Sequence, residues 1–371
     1  MRAFTLAAIA VSAAAFGLGA ARPAIATGVT KLSGPYVHDN LAVYFIHGPS
    51  TSGAVPLTLA EALAKGAVKV RETGSVNNLE IENTGDGDVF IQAGDIVKGG
   101  QQDRVLTVSM ILPGKSGKVP IGSFCVEQGR WSKRGAEDVK QFASAAEALP
   151  SREAKLAMKA PAKPAPEPSN SAGQPAGIVR QRTLGLDQGR DDTSKRQAEM
   201  WAAVGSVQGK LSARLGAPVA SAQSSSSLQL SLENEKLKKT RAAYISEIEG
   251  KASESDIIGY VFAVNGKINS ADQYPSNGLF KKMWPKLIAA SATEALGEVA
   301  KASTSDSPLS VAATPSTADV EAFLAGAETG KPEEKPLGTL AKQELRDTDK
   351  ALYVEARKAD GAWVHRNYLA K

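Results

Sequence analysis

Short apolar runs separated by turn residues fill the chain between Thr27 and Trp131. The regular spacing of these runs limits the fold more than any other feature of the sequence. Examples are the segments 42–46, 68–71 and 79–82, which lead into glycine, proline or asparagine. Strand-like runs at intervals of about 8–12 residues are typical of a β-sandwich or a small barrel. We therefore predict an N-terminal antiparallel β-sandwich or barrel-like sheet.

The spacing of apolar residues becomes helical after Trp131. Helices are predicted over the segments 139–149, 200–211, 230–248 and 279–288. Pro285 should kink or restart the last of these helices. Asn265-Gly266 predicts a tight hairpin turn, and the final residues are typical of strand pairs. Strands followed by helices and a C-terminal β-hairpin region predict the α+β class.

The N-terminus has the pattern of a secretory signal peptide. Met1-Arg2 precedes an apolar, alanine-rich stretch, and Ala24-Ile25-Ala26 supplies small residues where a signal peptidase reads. We expect cleavage before Thr27 and a periplasmic or secreted protein. Nothing after Ala26 approaches the roughly 20 apolar residues of a spanning helix, so no integral membrane segment is expected in the mature chain.

The overall charge argues against a polyanionic partner. The whole chain has a formal net charge of +5, and loss of Arg2 and Arg22 with the signal peptide lowers it to +3. No dense run of lysine and arginine occurs. Binding to nucleic acid or to anionic membranes is therefore not predicted.

Three low-complexity stretches, at about 160–177, 221–227 and 302–316, divide the mature chain. Their content of proline, alanine and serine favours solvated loops. We predict one core domain in two halves. The predicted segments are a signal peptide at 1–26, a β-rich half at 27–150, a disordered loop at 151–180, a helical and hairpin half at 181–301, a flexible loop at 302–318, and a C-terminal helix with closing strands at 319–371.

The segment Gly94–Arg104 is unlike an ordinary turn. It places three glycines, two acids, two bases and two amides in eleven residues between two strands. Glycines let the backbone approach a ligand closely, and lysine or arginine suits a carboxylate or phosphate. The predicted ligand-binding residues are Asp95, Lys98, Gln101, Gln102, Arg104 and, from the next motif, Arg130. The alternative is a long hairpin with a glycine bulge and a salt bridge that satisfies itself.

A second motif, Cys-Val-Glu-Gln-Gly-Arg-Trp, begins at Cys125. Strand alternation puts Cys125 and Glu127 on the same face. A nucleophilic thiolate needs a base or a cation beside it. The catalytic candidates are therefore Cys125 and Glu127, with His38, His47 or His365 as a base by elimination. The alternative is a buried cysteine that acts as a small hydrophobic residue.

Signatures of common hydrolases and metalloenzymes are absent from the sequence. It contains no Gly-x-Ser-x-Gly elbow, no His-Glu-x-x-His and no Cys-x-x-Cys. The single cysteine cannot form an internal disulfide, and the three histidines stand apart from one another. No metal and no cofactor are predicted.

Gly94–Leu106 and Cys125–Trp131 together resemble the ARG and rhodanese-phosphatase superfamily-associated protein domain, a bacterial domain of unknown function. The segments 57–63, 74–79, 264–267 and 279–287 fit the same pattern, so the resemblance extends from about Val43 to Leu296. It implies, through gene association only, ADP-ribose or phosphorylated small molecules as ligands to test. It implies no catalytic residues. The signal peptide and the Pro/Ala- and Ser-rich insertions depart from the simple domain.

Three functions agree with these patterns. The first is an exported domain that binds a small polar or anionic ligand through Lys98, Gln101, Gln102 and Arg104, with Glu127 and Arg130 nearby. The second is an enzyme that uses Cys125 in acyl, phosphoryl or thiol chemistry. The third is a structural envelope interaction module, in which both motifs only stabilise the sheet.

Overall fold

The computed structural model describes residues 31–159, 190–298 and 313–371, which form three β-sheets and the helices packed against them. The predicted signal peptide lies outside the described residues, as do most of the segments predicted as loops at 151–180 and 302–318. The architecture is mixed α+β, and this prediction is confirmed.

The strands are β1 (Lys31–His38), β2 (Leu41–His47), β3 (Leu57–Thr58), β4 (Val68–Glu72), β5 (Asn78–Asn83), β6 (Val89–Ile91), β7 (Asp95–Gly99), β8 (Arg104–Leu106), β9 (Met110–Leu112), β10 (Gly117–Cys125), β11 (Phe142–Ala148), β12 (Ile257–Val264), β13 (Lys267–Gln273), β14 (Pro332–Leu337), β15 (Ala341–Asp347), β16 (Ala351–Lys358) and β17 (Trp363–Ala370). The helices are α1 (Leu59–Ala64), α2 (Arg152–Lys159), α3 (Arg190–Leu215), α4 (Leu228–Leu232), α5 (Glu235–Ile248), α6 (Asn277–Gly297) and α7 (Thr317–Ala327), with a 3-10 turn at Glu249–Ala252.

The larger sheet has eight antiparallel strands in the order β1-β2-β12-β13-β17-β16-β15-β14. Strands from both ends of the chain meet in it, because β2 pairs with β12 and β13 pairs with β17. The hairpin between β12 and β13 turns at Asn265 (φ 51°) and Gly266 (φ 73°). Two successive positive φ angles are those of a type I′ turn, so the predicted hairpin is confirmed.

The second sheet closes nearly into a barrel, with strand order β11-β7-β8-β10-β5-β4. Its two edge strands approach each other: Arg71 of β4 forms a bridge with Gln141, and the Glu72 N–H donates to the Lys140 carbonyl at 3.1 Å. A small sheet of β3, β6 and β9 completes the β structure that is described. The predicted barrel-like sheet is confirmed.

The helix predicted over 139–149 is wrong, because this stretch contains strand β11. Phe142 lies opposite Gly99 of β7, and Ala148 lies opposite Asp95. Alanine-rich sequence fits either structure, and the pairing with β7 decides between them. A Cβ atom at Gly100 would overlap the Phe142 ring, so glycine lets this ring pack across the turn.

Aromatic residues hold α6 against the larger sheet. The ring of Trp284 lies 5.2 Å from that of Phe45 and 5.4 Å from that of Tyr260, both in edge-on geometry. Such pairs contribute to stability beyond the area that they bury. The helix continues through Pro285, so the predicted restart does not occur.

The single helix predicted over 230–248 is divided into α4 and α5. Ser227 accepts the Leu230 N–H at the start of α4, and Asn234 accepts the Leu237 N–H at the start of α5. Each side chain caps the beginning of a helix, which is why the chain turns between them. Within the described residues, no helix is long and apolar enough to cross a membrane.

Candidate functional site

The two sequence motifs meet at one end of the barrel-like sheet. The first motif supplies β7, a tight turn and the start of β8, and Cys125 ends β10. Arg104 lies directly opposite Cys125 in the pairing of β8 with β10. The chain continues from Cys125 into the loop that carries Glu127 and Arg130. The register of the sheet therefore brings the polar residues of both motifs together.

A buried cluster of arginines and carboxylates, which we call the motif network, fills this end of the sheet. Arg134 donates to Asp103 at 2.8 and 2.9 Å and to Glu127 at 3.1 Å. Arg130 Nε donates to Glu127 at 2.7 Å. Both carboxylates are fully buried, so they depend on these two guanidinium groups. The members of the network are Glu72, Gln102, Asp103, Arg104, Glu127, Arg130 and Arg134.

The motif network also holds the backbone around it. Arg130 donates to the carbonyl groups of Gly99 and Gly100, each at 3.1 Å. The Asp103 carboxylate accepts the Gly99 N–H at 2.9 Å, and the Glu127 carboxylate accepts the Asp103 N–H at 2.9 Å. The polar side chains of the two motifs therefore form hydrogen bonds to the backbone of the turns in which they lie.

Arg104 has no exposed surface. Its Nη1 donates to the Gln102 carbonyl at 2.8 Å, and its Nη2 lies 3.4 Å from a Glu72 oxygen. The Gln102 amide donates to the Glu127 carbonyl at 2.8 Å, and the Gln101 N–H donates to Glu72 at 3.0 Å. Three of the predicted ligand-binding residues, Arg104, Gln102 and Arg130, are thus brought together and bond to protein groups, while Arg104 Nε is buried without a hydrogen-bond partner.

Electrostatics within the motif network favour the charged forms of Arg134 and Glu127. Burial opposes the charge on Arg134, but hydrogen bonds to Asp103 and Glu137 outweigh it and raise the pKa of the guanidinium. Burial likewise opposes the charge on Glu127, but hydrogen bonds from its neighbours, Arg130 first, lower the pKa of this carboxyl. An ionised carboxylate that already accepts two guanidinium groups is a poor general base.

Two other predicted ligand-binding residues face helices of the second half of the chain. Lys98 Nζ donates to both oxygens of Glu233, at 2.7 and 2.8 Å. Asp95 forms an ion pair with Lys286 of α6 and accepts the Gln92 N–H at 2.9 Å. These charges join the barrel-like sheet to the helices.

Cys125 is fully buried. Its backbone exchanges two hydrogen bonds with the Gln197 side chain, at 2.8 and 2.9 Å, and its Sγ lies 3.8 Å from the Val76 carbonyl. Burial raises the pKa of the thiol to about 11. A thiol with such a pKa is almost entirely protonated near neutral pH, which is the state of an inert core cysteine.

A second buried polar cluster surrounds His365, one of the three histidines considered above. His365 Nδ1 lies 3.0 Å from Ser109 Oγ, and Nε2 lies 3.0 Å from Asp272. Asn367 donates to the same Asp272 oxygen at 2.9 Å and accepts from Lys159 at 2.6 Å. Burial lowers the pKa of Lys159 to about 8 and also lowers the pKa of His365.

Hydroxyl, imidazole and carboxylate follow one another here in the order found in nucleophilic hydrolases. Ser109 is buried, however, and its Oγ accepts the Ala93 N–H at 3.0 Å. Ser109 follows β8, whereas Asp272 and His365 belong to β13 and β17. The cluster therefore joins the two sheets through polar contacts inside the protein.

A cavity of about 470 Å³, the polar cleft, opens between α2, α3, α6 and the β12–β13 hairpin. Its lining includes Arg152 of α2, Lys210 of α3, Lys267 and Asn269 of β13, and Glu294 of α6. Lys210 is paired with Glu298 at 2.7 Å. Among the described residues, Arg152 and Lys267 have no carboxylate within ion-pair distance. The lining thus combines three cations with the carboxyl groups of Glu153, Glu294 and Glu298, and Arg152 and Lys267 are the cations that form no direct ion pair.

An acid–amide pair lies at the wall of the polar cleft. The Asn269 amide donates to Glu294 Oε1 at 2.9 Å, and the Arg152 N–H donates to the same oxygen at 2.9 Å. Glu294 Oε2 and Asn269 Oδ1 are buried without a partner. Burial raises the pKa of Glu294. Burial of Glu294 therefore favours the protonated carboxylic acid over the carboxylate.

No local pattern marks the polar cleft in the sequence. Its lining residues come from four elements separated by many residues, and each is an ordinary surface or helix residue by itself. The turn Asn265-Gly266, which places Lys267 at the rim, was the one available signal.

These features define a class of protein, an α+β domain whose nearly closed antiparallel sheet is braced by a buried network of arginines and carboxylates. Residues 30–369 match the model of the ARG and Rhodanese-Phosphatase-superfamily-associated Protein domain, ARPP-1, and the chain belongs to this family. The resemblance predicted from the two motifs is confirmed. Neither a curated protein nor a solved structure matches the chain significantly.

Arg134→Met tests the role of the motif network. The change leaves the buried Asp103 and Glu127 with too little positive charge, so we expect the free energy of unfolding to fall by roughly 3–5 kcal/mol. Arg71→Met is the control, because Arg71 pairs with Glu82 at 2.8 Å near the surface and should cost less than about 1 kcal/mol. Urea denaturation measures both, and equal small losses would contradict the assignment.

Alkylation of Cys125 tests the state of the thiol. Because burial raises its pKa, we expect no reaction with iodoacetamide at about pH 8, near the usual pKa of a free thiol, until the protein is unfolded in urea. Mass spectrometry of folded and unfolded samples gives the two rates. Rapid modification of the folded protein would instead support the cysteine-dependent enzyme.

Glu294→Gln tests the carboxylic acid. A raised pKa in the folded state adds stability below the unfolded value near 4.5, and this stability is lost as the pH rises through the folded pKa. Glutamine keeps both hydrogen bonds at any pH, so the variant should gain stability relative to wild type as the pH rises from 4.5. Urea denaturation at several pH values measures the difference, with the exposed Glu333→Gln as control. Parallel curves for Glu294→Gln and wild type would refute the protonated state.

Proposed function

We propose that this chain is an exported domain that binds a small anionic, polar ligand in the polar cleft. This is the first of the three functions predicted from the sequence, binding of a small polar or anionic ligand, but the proposed site is the polar cleft and not the two sequence motifs. Export rests on the N-terminal pattern that ends at Ala26, which lies outside the described residues. The observation that carries the proposal is the pair of unneutralised cations, Arg152 and Lys267, at a cavity large enough for a small molecule.

The contrast with the motif network supports this location. There, the guanidinium groups of Arg130 and Arg134 are met by Asp103 and Glu127 inside the protein. A ligand would have to break those buried pairs before it could use the motif arginines, at a cost of several kcal/mol. In the polar cleft an anion can approach Arg152 and Lys267 without displacing a carboxylate.

Hydrogen-bonding groups of the polar cleft add to the charge. Ser206 and Asn265 line it, and the Asn265 amide donates to the Glu298 carbonyl at 2.9 Å. Lys210 and Glu298 neutralise each other, and a protonated Glu294 carries no charge. The cleft then has two positive charges, on Arg152 and Lys267, and one negative charge, on Glu153. That balance favours a ligand with a phosphate or carboxylate and hydroxyl groups. The association behind the family's name makes ADP-ribose one such ligand to test.

The two other functions remain distinct outcomes. The buried, protonated state of Cys125 weighs against the cysteine-dependent enzyme. The self-satisfied motif network agrees with a structural role for both motifs, which is compatible with ligand binding elsewhere in the same domain.

Calorimetric titration of the mature chain with ADP-ribose, ribose 5-phosphate and inorganic phosphate tests the proposal. We expect saturable binding of at least one of these probes. Arg152→Ala and Lys267→Ala should each weaken it by roughly tenfold or more, because a hydrogen bond to a charged group contributes about 1.5–3 kcal/mol.

Arg214→Ala and Lys342→Ala are matched controls, since both side chains are exposed, outside the polar cleft and without an ion pair among the described residues. They should leave affinity unchanged. Absence of binding for all three probes, or equal affinity in the Arg152→Ala/Lys267→Ala double variant, would end the proposal.

A further inference from the structure

A histidine and two carboxylates meet at the start of β12, and the polar cleft lies at the other end of this strand. His47 ends β2 and lies opposite Ile257, the first residue of β12. Its Nδ1 is 2.9 Å from Asp256 Oδ1 and 4.0 Å from Glu254 Oε2. The three atoms all lie within 4.8 Å of one another, so small movements of the two exposed carboxylates would let a single ion contact all of them.

The imidazole of His47 is oriented for such a contact. The ring is fully buried, and Nε2 lies 2.8 Å from Ser33 Oγ. When the Nε2–H group donates its hydrogen bond to Ser33 Oγ, the lone pair of Nδ1 faces Asp256 and Glu254. Histidines that ligate metals are commonly held in this way by a hydrogen bond from the other ring nitrogen.

The backbone on the carboxylate side is also held in place. The Gly48 N–H donates to the Asp256 carbonyl at 3.0 Å. The Asn277 side chain donates to the Glu254 carbonyl at 3.0 Å, and Lys281 donates to the Ser253 carbonyl at 3.2 Å. The two carboxylate side chains remain about half exposed, at 54% and 55%, so an ion can reach them from solvent.

We propose that His47, Glu254 and Asp256 bind a divalent metal ion of the zinc class. One imidazole nitrogen and two carboxylate oxygens form a donor set that zinc accepts, and water would occupy the remaining positions. The ion would join the end of β2 to the turn before β12. This site is independent of the ligand proposed for the polar cleft, and the two can fail separately.

The competing interpretation is an ordinary ion pair between protonated His47 and Asp256. It needs no metal and leaves Glu254 as a peripheral acid. The two interpretations differ in one respect that can be measured, since only the metal site requires Glu254 and Asp256 together for zinc affinity.

Titration of the tag-free full chain with zinc, in competition with a chromophoric chelator, tests the proposal. Wild type should bind one equivalent. Glu254→Gln, Asp256→Asn and His47→Gln should each weaken zinc binding by about tenfold or more. Changes to residues that only hydrogen-bond to metal ligands already weaken metal binding by this much. His38→Gln is the matched control, because this histidine lies elsewhere on β1 beside Asp39.

Thermal unfolding gives a second measurement that does not depend on His47 variants folding. Zinc should raise the melting temperature of wild type and His38→Gln, because an ion that binds only the folded state stabilises it. The Glu254→Gln/Asp256→Asn variant, altered only at exposed side chains, should lose this shift. Failure of wild type to bind zinc, preference for calcium, or an unchanged affinity in the double variant would each overturn the proposal.

Discussion

Burial of Asp103 and Glu127 is the constraint on which the rest of this structure depends. Two carboxylates without solvent are tolerated only when cations reach them with good geometry, and Arg130 and Arg134 do so from the loop after β10. Ser227 also donates to Asp103 at 2.7 Å while it caps α4. One carboxylate therefore joins the barrel-like sheet, the loop after β10 and helix α4.

The same constraint changes how the polar motifs are understood. Dense acids, bases and amides in a short stretch suggest a recognition surface when only the sequence is considered. In the folded chain most of these groups bond to one another, and Arg104, which has no exposed surface, bonds to Gln102 and Glu72. We propose that the charges available to a small ligand are those of Arg152 and Lys267 at the polar cleft, where the sequence shows no motif. A dense group of charged residues in the sequence thus indicates a network of ion pairs. A site for a charged ligand is indicated by charged side chains that have no ion-pair partner in the folded structure.

Features governed by neighbouring residues were predictable, and features governed by distant pairing were not. Asn265-Gly266 dictates its turn through backbone conformation, so the hairpin could be predicted. The strand at Phe142–Ala148 depends on β7, about fifty residues earlier by number, and its alanines carry no preference strong enough to reveal it. The acid–amide pair of Glu294 and Asn269 and the group around His47 are likewise assembled by the fold, with His47 and Asp256 separated by 209 positions. The family resemblance could be predicted because its two motifs are contiguous.

The order of strands in the larger sheet has a consequence for synthesis of the protein. Strand β2 can pair early with β1, but its second neighbour, β12, comes much later in the chain, and β13 also pairs with β17, which comes later still. Pairings this distant in sequence are slow to form, because a long loop must close before any contact rewards it. The middle of the eight-stranded sheet therefore forms only after β12, β13 and β17 have all been synthesised. Until then the segment Leu41–Ile46, which is buried in the folded protein, lacks its later partner strand, and exposed apolar surface of this kind promotes aggregation.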